Sequence, residues 1–159
     1  MPVRNLAELP DLLGPGQCLL GIDYGSKHIG LAVCDPGLTL ASPLATLERG
    51  KLSDVVAGLQ KYIKERNAGA LIIGLPLTLE GQLSPMAQSV RTFASNLDKA
   101  FVPEMAFWDE RFSTALVQRE LTERADLSRA RRAEVVDKLA AAYILQGALD
   151  YLRNATTNR

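Results

Sequence analysis

Cysteine is scarce in this 159-residue chain, with only Cys18 and Cys34. They have neither CxxC spacing nor the density of a disulfide framework, which excludes a disulfide-stapled scaffold and fits a reducing compartment. Net charge is missing as well: 18 Lys and Arg balance 18 Asp and Glu. The global field therefore draws no polyanion, and any nucleic-acid binding has to rest on local patches. No apolar run approaches the roughly 20 residues needed to span a bilayer. Residues 1–17 carry Glu8 and Asp11 among scattered leucines, without a basic start and continuous apolar stretch, and so do not read as a signal peptide. The expectation is one cytoplasmic domain over 18–153, with an N-terminal extension (1–17) and a short C-terminal tail (154–159), large enough to bury a core without staples.

What the chain does have is acid in unexpected places. In Gly21-Ile22-Asp23-Tyr24-Gly25 a carboxylate ends an apolar run that reads as a buried strand. Asp is disfavoured in strands and costly to bury alone, so its place between glycines points to a site that holds something positive. Ser26-Lys27-His28 follows as a turn, and a second apolar run ends at Asp35-Pro36-Gly37, completing a β-hairpin. A second short apolar run ends in Trp108-Asp109-Glu110-Arg111, with Ser113 and Thr114 offering a helix N-cap. The third acid, Asp137, lies within a helix expected over 135–152 and shares a face with Ala140, Ala141 and Ile144. Small alanines there would let the helix approach a sheet closely.

The patterning predicts strands at 18–24, 29–35, 40–47, 70–75 and 104–108, and helices at 52–66, from Ser84-Pro85 onward, at 113–123 and at 135–152. A basic connection over 124–132 leads into the last helix. Pro43 marks the third strand as an edge or a bulge. The order βββαβαβαα gives an α/β fold, a mixed five-stranded sheet of three antiparallel strands followed by βαβα, flanked by helices. Ligands of such sheets sit beyond the carboxyl ends of parallel strands, where Asp23 and the Asp109-Glu110 pair would meet Asp137. Clustered carboxylates repel unless a cation joins them, and oxygen-only ligands favour Mg²⁺ or Mn²⁺. Two such ions suit in-line phosphoryl displacement.

Bland readings stand beside these. Asp23 can cap its turn, Asp109 can be a solvated strand end, and Asp137 can pair with an arginine of the 129–132 cluster. His28 reads as a turn residue, Cys34 as a small core residue, and Trp108 as packing beside the site. The arginines of 124–132, including Arg131 and Arg132, together with Lys138, form either a solvated face or a surface drawing a phosphate backbone towards the acids.

GIDYGSKHIGLAVCD, LIIGLPLTLEG, WDERFSTALVQREL and VDKLAAAYILQGALD, in this order, resemble the YqgF/RuvX family, described as pre-16S rRNA nucleases or Holliday-junction-resolvase-like proteins. The resemblance runs from Leu19 to Leu152. It implies a ribonuclease H-like fold and a metal-dependent nuclease acting in ribosome biogenesis, with Asp23, Glu110 and Asp137 as the catalytic, metal-holding acids. Lys27, Arg111, Ser113, Thr114, Arg131, Arg132 and Lys138 would contact the nucleic acid. Two positions depart from the pattern. The loop often written with Asn and Asp before Gly reads Thr78-Leu79-Glu80-Gly81, and Ala140 stands where related junction resolvases carry a further acid. The second departure favours a three-carboxylate nuclease on structured RNA over a resolvase of branched DNA. A non-catalytic nucleic-acid-binding module would have no reason to place three carboxylates together. Asp-x-Gly-Ser also resembles the phosphate loop of actin-like ATPases, but those need two such domains. A monomer and a homodimer are equally compatible with the chain.

Overall fold

The apolar run ahead of Asp23 forms β1 (Cys18–Tyr24), and the run after the turn forms β2 (His28–Cys34). In the computed structural model, which describes residues 5–25, 27–77, 80–100, 104–109 and 129–157, with the side chains of the last segment described over 138–154, the two strands pair antiparallel. Asp23 sits opposite Gly30, and the Gly25 N–H donates to the His28 carbonyl at 2.9 Å, closing the hairpin. β3 (Ala41–Glu48) adds to the free side of β2 as an edge strand. Its ladder slips where Leu31 faces Ala45 but Ala32 faces Pro43, leaving Leu44 over as a bulge. Pro43, which cannot donate to a ladder, is thus accommodated as an edge strand and a bulge together allow.

The two βα crossovers then build the other half of the sheet. α2 (Leu52–Arg66) ends at Asn67, whose left-handed φ of 54° stops the helix. β4 (Ala68–Leu75) runs parallel to β1 and is buried along nearly its whole length, as its continuous apolar sequence requires. α3 (Pro85–Ala100) starts at the expected signal: the Ser84 hydroxyl oxygen accepts from the Ala87 N–H at 3.1 Å and donates to the Pro76 carbonyl at 2.8 Å. β5 (Glu104–Asp109) pairs parallel with β4, giving the order β3-β2-β1-β4-β5. The helix expected over 113–123 lies outside the described residues.

The last helix corrects the sequence reading. α4 spans Arg129–Thr157, so Arg129, Arg131 and Arg132 belong to its first turns and not to a connection. Arg-Ala-Arg-Arg-Ala-Glu contains only good helix formers, and neither glycine nor proline separates it from the apolar pattern that follows.

Alternation along β1 sorts the layers. A Cβ at Gly21 would meet Leu145 of α4, while Tyr24 stacks on Phe93 of α3. Gly21 and Asp23 therefore face α4, and Ile22 and Tyr24 face α2 and α3. At the amino-terminal side, Leu6 and Leu9, from a 3₁₀ turn (Leu6–Glu8) and the short α1 (Leu9–Leu12), are buried in the same core.

The β2–β3 connection is organised by Asp35. Its carboxylate accepts from the N–H of Leu40 (2.7 Å), the hydroxyl of Thr39 (2.7 Å) and the N–H of Thr39 (2.9 Å). The Leu40 amide first, and then Thr39, hold this carboxyl well below the usual carboxylate range. A depressed folded-state pKa contributes stability that is complete above the unfolded value, 3.8, and is lost as pH falls through the folded one. Urea midpoints of the wild type and Asp35→Ala should thus differ at neutral pH, and the gap should narrow progressively as pH falls below about 4. A constant gap across pH would mean that the carboxylate charge plays no part in the turn.

Candidate active site at the strand ends

β1, β4 and β5 run parallel, and their carboxyl ends form one edge of the sheet. Asp23, half-buried, is the next-to-last residue of β1 and projects to the α4 face. The level of α4 over this strand is set at Gly21: a Cβ there would lie 2.8 Å from both the Ala141 carbonyl oxygen and the Leu145 Cβ. No residue but glycine allows so close an approach without a shift.

The direction of α4 follows from its other end. Gln146 accepts from the Ala41 N–H at 2.9 Å and donates to the Thr39 carbonyl at 3.1 Å, and Arg153 donates to the same carbonyl at 3.0 Å. Thr39 and Ala41 lie where β2 ends and β3 begins, opposite the edge that holds Asp23. Passing back along α4 from Gln146 through Ala141 therefore leads towards Asp23. Asp137 is one turn before Ala141, a rise of about 6 Å, and Asp23 is two residues, about 6.6 Å, beyond Gly21. The backbone thus carries positions 23 and 137 from a shared contact towards the same end of the molecule.

β5 reaches this edge beside β4, with Trp108 opposite Gly74 and Asp109 opposite Leu75. Trp108 is half-buried against α4: it lies 6.0 Å from the Tyr151 ring, and a Cβ at Gly147 would meet its indole at 2.9 Å. Its indole Nε1 is buried without a hydrogen-bond partner among the described residues. The ring packs between β5 and α4. Asp109 is half-buried and engaged, not simply a solvated strand end.

Of the remaining expected site residues, Lys27 is exposed in the hairpin turn, where its carbonyl accepts from the Arg49 N–H at 3.1 Å. Lys138 is half-buried on α4, while Arg131 and Arg132 occupy its first turns. Glu110, Arg111, Ser113 and Thr114 lie outside the described residues, as does the side chain of Asp137. Among the described residues no group of three His, Cys, Asp or Glu side chains is placed to hold a metal ion. His28 begins β2, and Cys34 is buried, its sulfur accepting from the Leu19 N–H at 3.3 Å. Burial pushes the Cys34 thiol up to about 11, which leaves it protonated and unreactive at neutral pH.

One cluster beside Asp23 escaped the sequence reading. Arg49, just after β3, lays its guanidinium 4.3 Å above the Tyr24 ring and donates to the Gly25 carbonyl at 3.2 Å. Tyr24 in turn stacks on Phe93 at 4.2 Å, nearly parallel. The three residues are far apart in sequence and carry no local pattern, so only the fold brings them together.

The sequence model of RuvX, described as a Holliday junction resolvase, matches residues 17–151. The chain is 49% identical to a protein of Rhodospirillum centenum named "Putative pre-16S rRNA nuclease", over 96% of this chain and 84% of that one. It is 47% identical to a protein of the same name from Gluconacetobacter diazotrophicus, over 94% and 97% of the two chains. Among solved structures, T. thermophilus RuvC in complex with Holliday junction substrate superposes with a TM-score of 0.51 at 17% identity, over 88% of this chain and 97% of that one. This last likeness is one of fold, the ribonuclease H-like arrangement of a mixed five-stranded sheet between helices. With a family match across nearly its whole length and close relatives on both measures, the chain belongs to the RuvX family.

Proposed function

We propose that the chain is a metal-dependent endonuclease that hydrolyses phosphodiester bonds of pre-16S rRNA, trimming its 5′ end in the cytoplasm during ribosome biogenesis. The observation that carries this reading is the approach of α4 to β1 at Gly21, which leads Asp23 and Asp137 towards one end of the sheet. Glu110, next in the chain after the end of β5, supplies the third carboxylate. Membership of the RuvX family and the names of the close relatives support the substrate.

The donor set fits a hard cation, since Asp23, Glu110 and Asp137 offer oxygen alone, the chemistry preferred by Mg²⁺ or Mn²⁺. One or two such ions would neutralise charge at the scissile phosphate and make a water more acidic. The chain's own residues then have separable tasks. Asp23 fixes the position of the site against the rigid centre of the sheet. Lys27, Arg111, Ser113 and Thr114 hold the phosphates flanking the scissile one, and Arg131, Arg132 and Lys138 guide the strand along the amino-terminal half of α4.

The decisive assay gives purified protein an rRNA precursor and a four-way DNA junction in parallel, with Mg²⁺ or Mn²⁺ and with chelator. Cleavage of the RNA that needs the ion is expected. Preferential cleavage of the junction would transfer the assignment to a resolvase, the reading that the family's description favours and that Ala140 disfavours. No ion-dependent cleavage of either would end the nuclease reading.

Arg131 and Arg132 act in positioning. Their joint replacement by alanine should weaken RNA binding about equally for all sequences and lower the slope of log affinity against log salt by roughly one to two, while the rate at saturating RNA holds. A collapsed saturating rate with unchanged affinity would put these arginines at the reacting phosphate instead.

A further inference from the structure

The edge that holds Asp23 has a second side. Asp23 and Tyr24 are consecutive in β1, so the carboxylate projects towards α4 and the ring towards α3. Beside Tyr24, between the start of α2 and the middle of α3, lies an open cleft of about 290 Å³. That is close to the lower limit of roughly 300 Å³ for small-molecule sites, enough for one flat ring system and too little for a stack of several. Phe93 and Val55, both 4% exposed, lie deepest in it, while Arg49 and Leu52 stand exposed at its rim. Ser89, Thr92 and Asn96 line it from α3, at a spacing that puts all three on one helix face.

These groups select an occupant. Among the described residues a phosphate would find a single cation at the lining, and that guanidinium already donates to the Gly25 carbonyl and, at 3.4 Å, to the Ser89 hydroxyl. An aliphatic ligand would leave the hydroxyls and the amide at the wall unmatched. A nucleobase matches both halves of the lining: flat apolar surface for its ring, and for its polar edge the Asn96 amide, the Ser89 hydroxyl, and the Thr92 hydroxyl as an acceptor, since it already donates to the Gln88 carbonyl at 3.1 Å. Arg49, with its guanidinium 4.3 Å from the Tyr24 ring centroid, adds a planar group of the kind on which unpaired bases stack.

We propose that this cleft receives one unstacked nucleobase of the substrate strand, from a nucleotide close to the phosphate held at Asp23. The inference rests on the nuclease reading and deepens it. The strand is gripped by a base on the α3 face of β1 and cut on the α4 face, so the substrate must offer an unpaired nucleotide beside the cleavage position. Perfect duplex would be excluded by the protein's own shape.

Two measurements on the full chain test this. In the first, AMP and ribose 5-phosphate are titrated separately while the side-chain amide signals of Asn96 are followed by NMR. AMP should shift them and ribose 5-phosphate should not. Equal responses, or none to AMP, would overturn the proposal. In the second, a single-stranded oligoribonucleotide with one abasic site, moved stepwise along the strand, is bound in the presence of chelator. One position should weaken binding about tenfold, the loss expected when one stacked base is removed. Ser89→Phe, which fills the cleft, should bind the intact strand about as weakly and show no further loss at the abasic position. Asn96→Ala, which removes the amide without adding bulk, should show part of the loss, and its thermal midpoint checks that the fold is kept. A flat abasic profile on a strand that binds and is cleaved would remove the cleft and leave the nuclease reading standing. AMP binding in the cleft of a protein that cleaves nothing would do the reverse.

Discussion

Asp23→Asn is expected to reduce RNA cleavage by several orders of magnitude while leaving the protein folded. The substitution keeps the shape of the side chain and removes one negative charge from the proposed metal site. Cation binding weakens, and with it the neutralisation at phosphate and water on which hydrolysis depends. The fold should not suffer. Clustered acids without a cation repel, so the neutral amide should leave the melting temperature unchanged or slightly higher. The pair of measurements is thermal unfolding in chelator and cleavage rate across a Mg²⁺ or Mn²⁺ titration. An unfolded Asp23→Asn protein whose folded fraction retained its specific activity would make Asp23 a turn cap and remove the main support for the nuclease. Asp137→Asn should behave alike, with a milder loss if it serves only one ion.

The second large effect concerns a residue with no chemistry of its own. Gly21→Ala places a methyl group 2.8 Å from the Ala141 carbonyl oxygen and the Leu145 Cβ, one of them backbone and the other rigidly attached to it. Neither can swing aside, so α4 as a whole must move away from β1. Overpacking of this kind costs about 1–3 kcal/mol. The lower entropy of the unfolded chain without that glycine returns only about 0.4–1 kcal/mol, so destabilisation wins. If the site is the one proposed, a shift of α4 from β1 also moves position 137 relative to Asp23, and the folded fraction should cleave more slowly. A displacement of about 1 Å can cost on the order of a hundredfold in rate. Urea unfolding and the rate per folded molecule read the two effects separately. A stable Gly21→Ala protein with full activity would show that the spacing of α4 and β1 does not govern the site.

Several parts of this molecule are legible in the chain because local chemistry dictates them. The apolar runs before Asp23 and Asp109 can only be buried strands, and Ser84-Pro85 announces a helix start that the structure realises bond for bond. Asp23 stands out because a carboxylate at the end of such a run needs a reason. Pro43 signals an edge, and an edge is where it lies. The beginning of α4 is hard to read because clustered arginines look like a solvated connection, although their helix propensity is high and nothing breaks the helix after them. The platform of Tyr24, Arg49 and Phe93 was invisible for a different reason. Each residue is ordinary in its own segment, and only the passage of β3 into α2 beside α3 stacks them. The Asp35 turn lay between these cases: Asp-Pro-Gly announces a turn, but the three bonds converging on one carboxylate come from Thr39 and Leu40, beyond the usual turn span.

The irregular outer strand has a consequence for how copies of the protein meet. A straight, unpaired strand edge is a template on which a second chain can continue the sheet, the route by which β-rich proteins aggregate. β3 spoils that template twice, since Pro43 offers no N–H and the extra Leu44 turns the strand out of register. Continuation of the sheet on that side is disfavoured. Self-association of this nuclease candidate on the β3 side is therefore left to side-chain surfaces.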